Sequence, residues 1–210
     1  MLVRDVMTYN VVTVPSTIPI LEAERLLESH QFERLPVVDK GKLVGLVTKD
    51  NLLKASPSPA TSLSRGELLY LFSKLTVKEI MKKNVVTVTP ATTIERATEI
   101  AQENRVGCLV VVEEERVVGI LTTNDIFYKV VNPLFGIGEK GKRIIVYGAE
   151  EVEQVQKVFD CVKKAGFKIK IFWQPMGTEK KDLILHIEAE EIGRLVSQLK
   201  RDGFSVEQRG

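Results

Sequence analysis

The chain has 210 residues, 44% of them apolar and 28% charged, a composition that folds rather than staying disordered and a length that suits one or two domains. Thirty basic residues against twenty-eight acidic ones leave a net charge of +2, which excludes a strong overall field for nucleic acid. Two Cys (Cys108, Cys161) and two His (His30, His186) cannot assemble a Cys/His zinc site of the usual spacing, so no metal site is expected.

In chain order, the first 130 residues read as two copies of one unit. Shifting the sequence by 74 positions superposes Val3-Arg4-Asp5-Val6-Met7 on Val77-Lys78-Glu79-Ile80-Met81, and Asn10-Val11-Val12-Thr13-Val14 on Asn84-Val85-Val86-Thr87-Val88. Further along, Leu35-Pro36-Val37-Val38 falls on Leu109-Val110-Val111-Val112, and Val44-Gly45-Leu46-Val47-Thr48 on Val118-Gly119-Ile120-Leu121-Thr122. The match is gapless, and it aligns Met7 with Met81 and Gly45 with Gly119 as well as the apolar runs. Fixed-period similarity of this kind marks a repeated supersecondary unit that buries its face against its neighbour. Each copy opens with a short β segment (Val11–Val14; Val85–Val88). A helical face follows, on Ile20, Ala23 and Leu27 in one copy and Ile94, Ala97 and Ala101 in the other. Two β-branched runs separated by a turn then predict a hairpin, with Asp39-Lys40-Gly41-Lys42 as the first turn. A closing helix starts at Lys49–Leu53 and again at Asn124–Val130.

The repeats therefore span 1–55 and 77–131. Between them, 56–76 reads as a linker, Ser56-Pro57-Ser58-Pro59 in composition, with a short helix suggested by Leu68, Leu69, Leu71 and Phe72. Residues 132–142 carry Pro133, Gly136, Gly138 and Gly141 and read as a flexible second linker. Their GxGxxG spelling is not a dinucleotide fingerprint, because a helix precedes and a strand follows. The tail, 143–210, alternates strand and helix: Ile144–Tyr147, Glu150–Ala165, Phe167–Trp173, a turn at Pro175-Met176-Gly177, Leu183–Ile187, a helix on Ile192, Leu195, Val196 and Leu199, and Phe204–Glu207. That order predicts a ferredoxin-like βαββαβ sandwich. The fold class is α+β throughout. The longest apolar run, near Leu109–Val112, falls far short of the roughly 20 residues of a membrane helix, and Arg4 and Asp5 interrupt any leader at once. Two separated thiols suit a reducing compartment. A cytoplasmic protein without membrane or nucleic-acid partners is expected.

The two repeats resemble a tandem pair of CBS domains, a Bateman module. The resemblance rests on a Gly-h-h-Thr-x-x-Asp-h pattern (h apolar). It is complete in Gly119-Ile120-Leu121-Thr122-Thr123-Asn124-Asp125-Ile126 and altered in Gly45-Leu46-Val47-Thr48-Lys49-Asp50-Asn51-Leu52, where Asn51 replaces the acid. The tail resembles an ACT domain, and the order of the three is similar to the acetoin-utilisation AcuB family. The resemblance implies adenosyl-ligand clefts between the copies, for AMP, ADP, ATP or S-adenosylmethionine. An adenosine needs an apolar slot, an acceptor for the ribose diol and donors for phosphate. Carried over, one cleft comprises Asn10, Val11, Val12, Phe32, Glu33, Arg34 and Pro36 with Thr122 and Asp125. Asp125 would accept from the ribose, Thr122 would present its hydroxyl beside free helix N–H groups, and Arg34 would bind phosphate as a fork-shaped donor. The second comprises Thr48, Asn51, Val85, Val86, Val106, Gly107 and Cys108. Because Asn51 is uncharged and Cys108 stands where the first cleft has Arg34, that second site is expected to be weak or empty.

The plainer alternatives are a helix cap for Thr122 and Asp125, a turn or cap for Asn51, and surface or strand positions for both histidines. No catalytic residue and no resident cofactor is expected. The reading is a non-enzymatic regulator that works by population shift, with an ACT-like domain for homodimerisation or a second ligand and an unidentified regulated partner. A scaffold with vestigial clefts and an enzyme component of acetoin utilisation are the alternatives.

Overall fold

The structure is a computed structural model that describes residues 1–55, 74–175 and 182–209. The expected loop at 56–62, the helix at 68–72 and most of the turn at 175–177 lie outside these residues. The chain divides into two compact units, Met1–Phe127 and Tyr128–Gly210.

In the first unit the 74-residue offset holds for the helix starts and for both hairpin strands. α1 (Val3–Val6), α2 (Ile20–Ser29), β1 (Arg34–Asp39), β2 (Lys42–Thr48) and α3 (Lys49–Ala55) form the first repeat. α4 (Val77–Ile80), β3 (Thr87–Val88), α5 (Ile94–Glu103), β4 (Cys108–Glu113), β5 (Arg116–Thr122) and α6 (Thr123–Ile126) form the second. Even the irregularity in the hairpins recurs, with a register shift at Val37/Val38 and again at Val111/Val112. The predicted opening strand Val85–Val88 is reduced to Thr87–Val88, parallel to β4. In the first copy, Val11–Val14 forms no strand, only an isolated parallel bridge from Val14 to Val37. Val11 and Val12 line a cleft instead of joining a ladder.

The leading segments cross over. Thr8 bridges to Ile120 and Leu2 to Thr93 in the second copy, while Lys82 bridges to Leu46 and Thr76 to Pro19 in the first. Glycine makes the crossing possible. A Cβ on Gly119 would stand 2.5 Å from the Met7 Sδ, and one on Gly45 would stand 2.5 Å from the Met81 Sδ. Each methionine thus lies against the other copy's hairpin, which is the reason the offset aligns both pairs.

After α6 the predicted helix becomes a π-turn at Phe127–Val131 and then α7 (Asn132–Phe135). The expected flexible linker 132–142 is a folded strap within the second unit. Phe135 meets Trp173 edge to face at 5.1 Å, and its carbonyl accepts from Arg143 Nη2 at 2.6 Å. Glu139 pairs with Lys170 at 2.8 Å. Gly136 ends α7 in left-handed backbone, and Gly141 lies directly against the Ile187 carbonyl and the His186 ring. The glycines serve positive φ and close approach, not mobility. His186 takes the strand position, the second of the two expected for it, and is 4% exposed beneath this strap.

The rest of the second unit runs β6 (Lys142–Tyr147), α8 (Val152–Lys164), β7 (Ile169–Trp173), β8 (Leu183–Ile187), α9 (Gly193–Arg201) and β9 (Ser205–Arg209). The four strands form one antiparallel sheet in the order β7-β8-β6-β9. Alternate residues Ile144, Val146, Leu183, Leu185 and Ile187 pack with Val158, Val162, Leu195 and Leu199 of the helices in a single core. Period-2 strands facing period-3.6 helices account for that core.

Candidate functional site

Two clefts of similar size lie between the copies, one of about 240 Å³ and one of about 260 Å³. Every residue of the first except Asp125 has its partner at the 74-residue offset in the second, which also gains Glu33, Arg34 and Lys49. The first takes Asn10, Val11 and Val12 from the leading segment, Phe32, Glu33 and Arg34 from the approach to β1, and Thr122 and Asp125 from the end of β5 and α6. The second takes Asn84, Val85 and Val86, then Val106, Gly107 and Cys108, then Thr48, Lys49 and Asp50.

Of the residues predicted for the first cleft, all but Pro36 line it. Pro36 is buried in β1 opposite Leu46, and its carbonyl accepts from Val14 N–H. One strand residue on from Leu35 the chain has entered the core. Sequence reading missed Thr8, Gln31, Ile120 and Asn124. The crossing of the leading segment brings in Thr8 and Ile120, which bridge each other. Gln31 takes left-handed backbone (φ 54°) just past the end of α2.

Asp125 is 8% exposed at the floor of this cleft. Its Oδ2 accepts from Thr122 N–H at 2.9 Å and Thr122 Oγ1 at 2.6 Å, while Thr122 Oγ1 accepts from Asp125 N–H at 3.2 Å. The capping box is therefore real, and it uses backbone donors that the sequence reading left free for an anion. The carboxylate's other oxygen accepts from Thr8 Oγ1 at 3.1 Å, a bond between the two copies. A carboxylate offers about four acceptor positions, so capping and recognition of a diol are compatible at one residue.

In the second cleft, Asn51 does not line the wall. Its Oδ1 accepts from Thr48 N–H at 3.1 Å and Thr48 Oγ1 at 2.8 Å, so its role here is the cap. The other six predicted residues, Thr48, Val85, Val86, Val106, Gly107 and Cys108, line the cleft. The argument that Cys108 removes the cation is corrected by Arg34 itself, which lines both clefts. A Cβ on Gly107 would stand 3.1 Å from Arg34 Nη2, so the absent side chain leaves room for the guanidinium. Burial pushes the Cys108 thiol above its ordinary range, against the opposing pull of Arg34 and Lys82. Lys49, Lys82 and Arg105 also line this cleft, with Glu33 and Asp50 as its acids. The offset would have found two of them, since Thr8 maps to Lys82 and Gln31 to Arg105.

Among the described residues no group of three metal-binding side chains occurs, and no helix is long and apolar enough to cross a membrane.

A pair of α+β repeats with crossed leading segments and two clefts between them is the architecture of a tandem CBS pair. The CBS-domain family model matches residues 3–58 and 77–132, more than half of the chain, and the chain belongs to that family. The match does not extend to the tail. Among curated proteins, L-aspartate semialdehyde sulfurtransferase of Methanocaldococcus jannaschii is 35% identical over 127 residues, which is 60% of this chain and 22% of that protein. The chain spans between about a fifth and about a half of the length of the first curated relatives it matches. Among solved structures, a protein assigned to acetoin utilization (AcuB) from Vibrio cholerae is similar at TM-score 0.53 and 28% identity, over 63% of this chain and 91% of that one. The CBS domain pair of protein MJ0100 in complex with 5′-methylthioadenosine and S-adenosyl-L-methionine is similar at TM-score 0.51 and 31% identity, over 66% and 98%.

Proposed function

We propose that the chain is a non-enzymatic regulatory protein that senses an adenine nucleotide or other adenosyl compound between its two CBS repeats. The observation that carries this reading is Asp125, a buried carboxylate at the floor of a cleft with Val11, Val12 and Phe32 on its walls. These supply the two needs of an adenosine, an apolar slot and an acceptor for vicinal hydroxyls. The similar CBS pair that holds 5′-methylthioadenosine and S-adenosyl-L-methionine supports it. The response would be a population shift. A ribose at Asp125 competes with or stretches the Thr8 bond, and it biases the relation of the two repeats only by its differential affinity for the two arrangements.

The tail would be an ACT-like domain, an assignment supported by its β-α-β-β-α-β order and by the placement of β6 and β8 at the centre of its sheet. It would pair chains into homodimers or take a second small ligand. The likeness to the acetoin-utilization structure supports a link to that metabolism, with the regulated partner a separate protein.

A thermal-shift and calorimetric panel of adenosyl compounds tests the reading. A ligand at a hundred times its dissociation constant stabilises the native state by about 2.7 kcal/mol. The gain from a ligand of the Asp125 cleft should disappear in Asp125→Asn. This variant keeps the cap, because Asn51 makes the same capping contacts in the first repeat. No response to any adenosyl compound from the folded wild type would overturn the reading.

A further inference from the structure

An open groove of about 870 Å³ runs between α8 and α9 of the second unit, more than three times the volume of either cleft. It is built on an internal repeat. Val158 and Val162 of α8 and Leu195 and Leu199 of α9 enter the core. The positions beside them face the groove: Lys157, Asp160, Cys161 and Lys164, each with a counterpart 37 residues on. The inner two are not kept, since Asp160 corresponds to Ser197 and Cys161 to Gln198. The outer two keep their charge, Lys157 as Arg194 and Lys164 as Arg201. Each wall therefore carries two cations seven residues apart, about 10.5 Å along a helix. None of the four has an ion pair among the described residues, and neither Glu190 nor Glu191, just upstream, pairs with Arg194. Of the groove's acids, Asp160 and Asp202, the second accepts from Gln198 Nε2 at 2.9 Å.

Helix dipoles account for half of this pattern. Lys164 and Arg201 lie in the last turns of α8 and α9, where a cation is stabilised. Arg194 is the second residue of α9, whose first turn carries no acid and whose N-cap, Ile192, makes no side-chain capping bond. A cation there opposes the dipole, and Lys157 in mid-helix gains nothing from it. A partner of opposite sign accounts for both. We infer that the groove docks an acidic amphipathic helix of a partner protein, whose carboxylates two turns apart on one face meet the cations of the two walls. Three features choose this occupant. Seven residues of a helix reproduce the separation of the cations, whereas same-face residues of a strand fall at roughly 7 or 13 Å. Among the described residues no aromatic ring lines the groove to stack a base, and Asp160 and Asp202 would repel a continuous phosphate backbone but can accept from polar groups between a helix's acids. Ala165, Gly193 and Ser197 keep the rim low, with nothing within 4 Å of a Cβ on Gly193, so a helix backbone can approach. The inference does not depend on what fills the clefts between the repeats.

Fluorescence anisotropy on the full chain tests this with a labelled Ala-rich helical peptide that carries a pair of glutamates and repeats it seven residues on. The control has the same composition with the second pair moved two positions further, onto the opposite face. The first peptide should bind more tightly than the control, and raised salt should weaken it. Lys157→Ala and Arg194→Ala should each weaken it roughly two- to fivefold, the scale of an exposed ion pair. Because Arg194 opposes the dipole of α9, Arg194→Ala should leave the thermal midpoint unchanged or raise it. Any thermal shift that adenosyl compounds give the wild type should persist in both variants, so failure here and failure of the sensor reading are separate results. Equal binding of the two peptides, tighter binding of a thymidine oligonucleotide or of inorganic polyphosphate, or no binding by the folded protein would each overturn the inference. So would a lowered midpoint in Arg194→Ala, which would make that cation structural.

Discussion

The two CBS repeats share the helices and hairpin of one plan and differ in how they fill it. In the first, Leu27 of α2 is fully buried between helix and hairpin. In the second, the corresponding residue is Ala101, half-buried. Beside it lies a largely apolar groove of about 320 Å³, bordered by Thr98, Ala101, Leu121 and Ile126. The backbone survives the exchange because the crossing segments hold it. Met7 against Gly119 and Met81 against Gly45 are identical in both copies, whereas the helix face is free to drift. Shape is kept where the copies grip each other, and variation collects in the cores and in the clefts.

The sharpest way to break this comparison is to exchange the two helix residues. Leu27→Ala should cost about 2–5 kcal/mol, the range for deleting a buried leucine. Ala101→Leu should be neutral or gain about 0.5–2 kcal/mol, as cavity filling does. Urea unfolding of the full chain followed at several denaturant concentrations measures both. A loss in Ala101→Leu as large as that in Leu27→Ala would mean the groove is not space a side chain can fill, and the asymmetry of the repeats would need another cause.

Periodicity and the offset made the repeats legible, because α2 and α5 carry their apolar residues at helical spacing and β1–β2 and β4–β5 are β-branched hairpins. What a repeat cannot disclose is which copy a segment pairs with. Val11–Val14 reads as a strand by composition, yet its neighbour Thr8 bonds to Ile120 in the other copy, and the chain between serves as a wall rather than a ladder. The same crossing hid Thr8 and Ile120 from the first cleft. Arg34 was legible as a phosphate donor, but its position over Gly107 depends on a side chain that is absent 73 residues later. The strap at 132–141 was misread for a related reason. Pro and Gly announce a break in regular structure, and only the surrounding Phe135, Trp173, Arg143 and His186 show that the break is packed down.

A finer cut targets the grip itself. Gly119→Ala and Gly45→Ala each place a methyl within 2.5 Å of a methionine sulfur, and overpacking of that kind costs about 1–3 kcal/mol. Gly45 is the stricter position, because the Lys82 carbonyl also stands 3.1 Å from the new atom, whereas the three atoms nearest a Cβ on Gly119 all belong to the flexible Met7 side chain. Truncating the facing methionine should recover part of the loss at both sites, more fully at Gly119. A double-mutant cycle reads the coupling directly. Additive effects of Gly119→Ala and Met7→Ala would show that the aligned pairs are not the clamp.

The smallest contrast lies in the hairpin turns. Both are two-residue turns with left-handed backbone at each position, Lys40 and Gly41 at φ 50° and 81°, Glu114 and Glu115 at φ 48° and 64°. That conformation is the one that matches the strand twist, and it favours Asn or Gly. The first repeat meets the requirement at Gly41; the second places two glutamates there, at a backbone cost that glycine avoids. Glu115→Gly should therefore stabilise, but two terms oppose it. Glycine gives the unfolded chain about 0.5–1 kcal/mol more entropy to lose. The change also removes the Lys42–Glu115 ion pair at 2.6 Å, whose side chains are 65% and 72% exposed, worth about 0–1 kcal/mol. The net gain should be under about 1 kcal/mol at moderate salt and should grow when salt screens the pair in the wild type. Gly41→Glu in the first repeat should lose about 1 kcal/mol. A stabilising Gly41→Glu would show that the left-handed turns exert no selection, and that the glutamates of the second repeat are there for the Lys42 pair rather than in spite of the backbone.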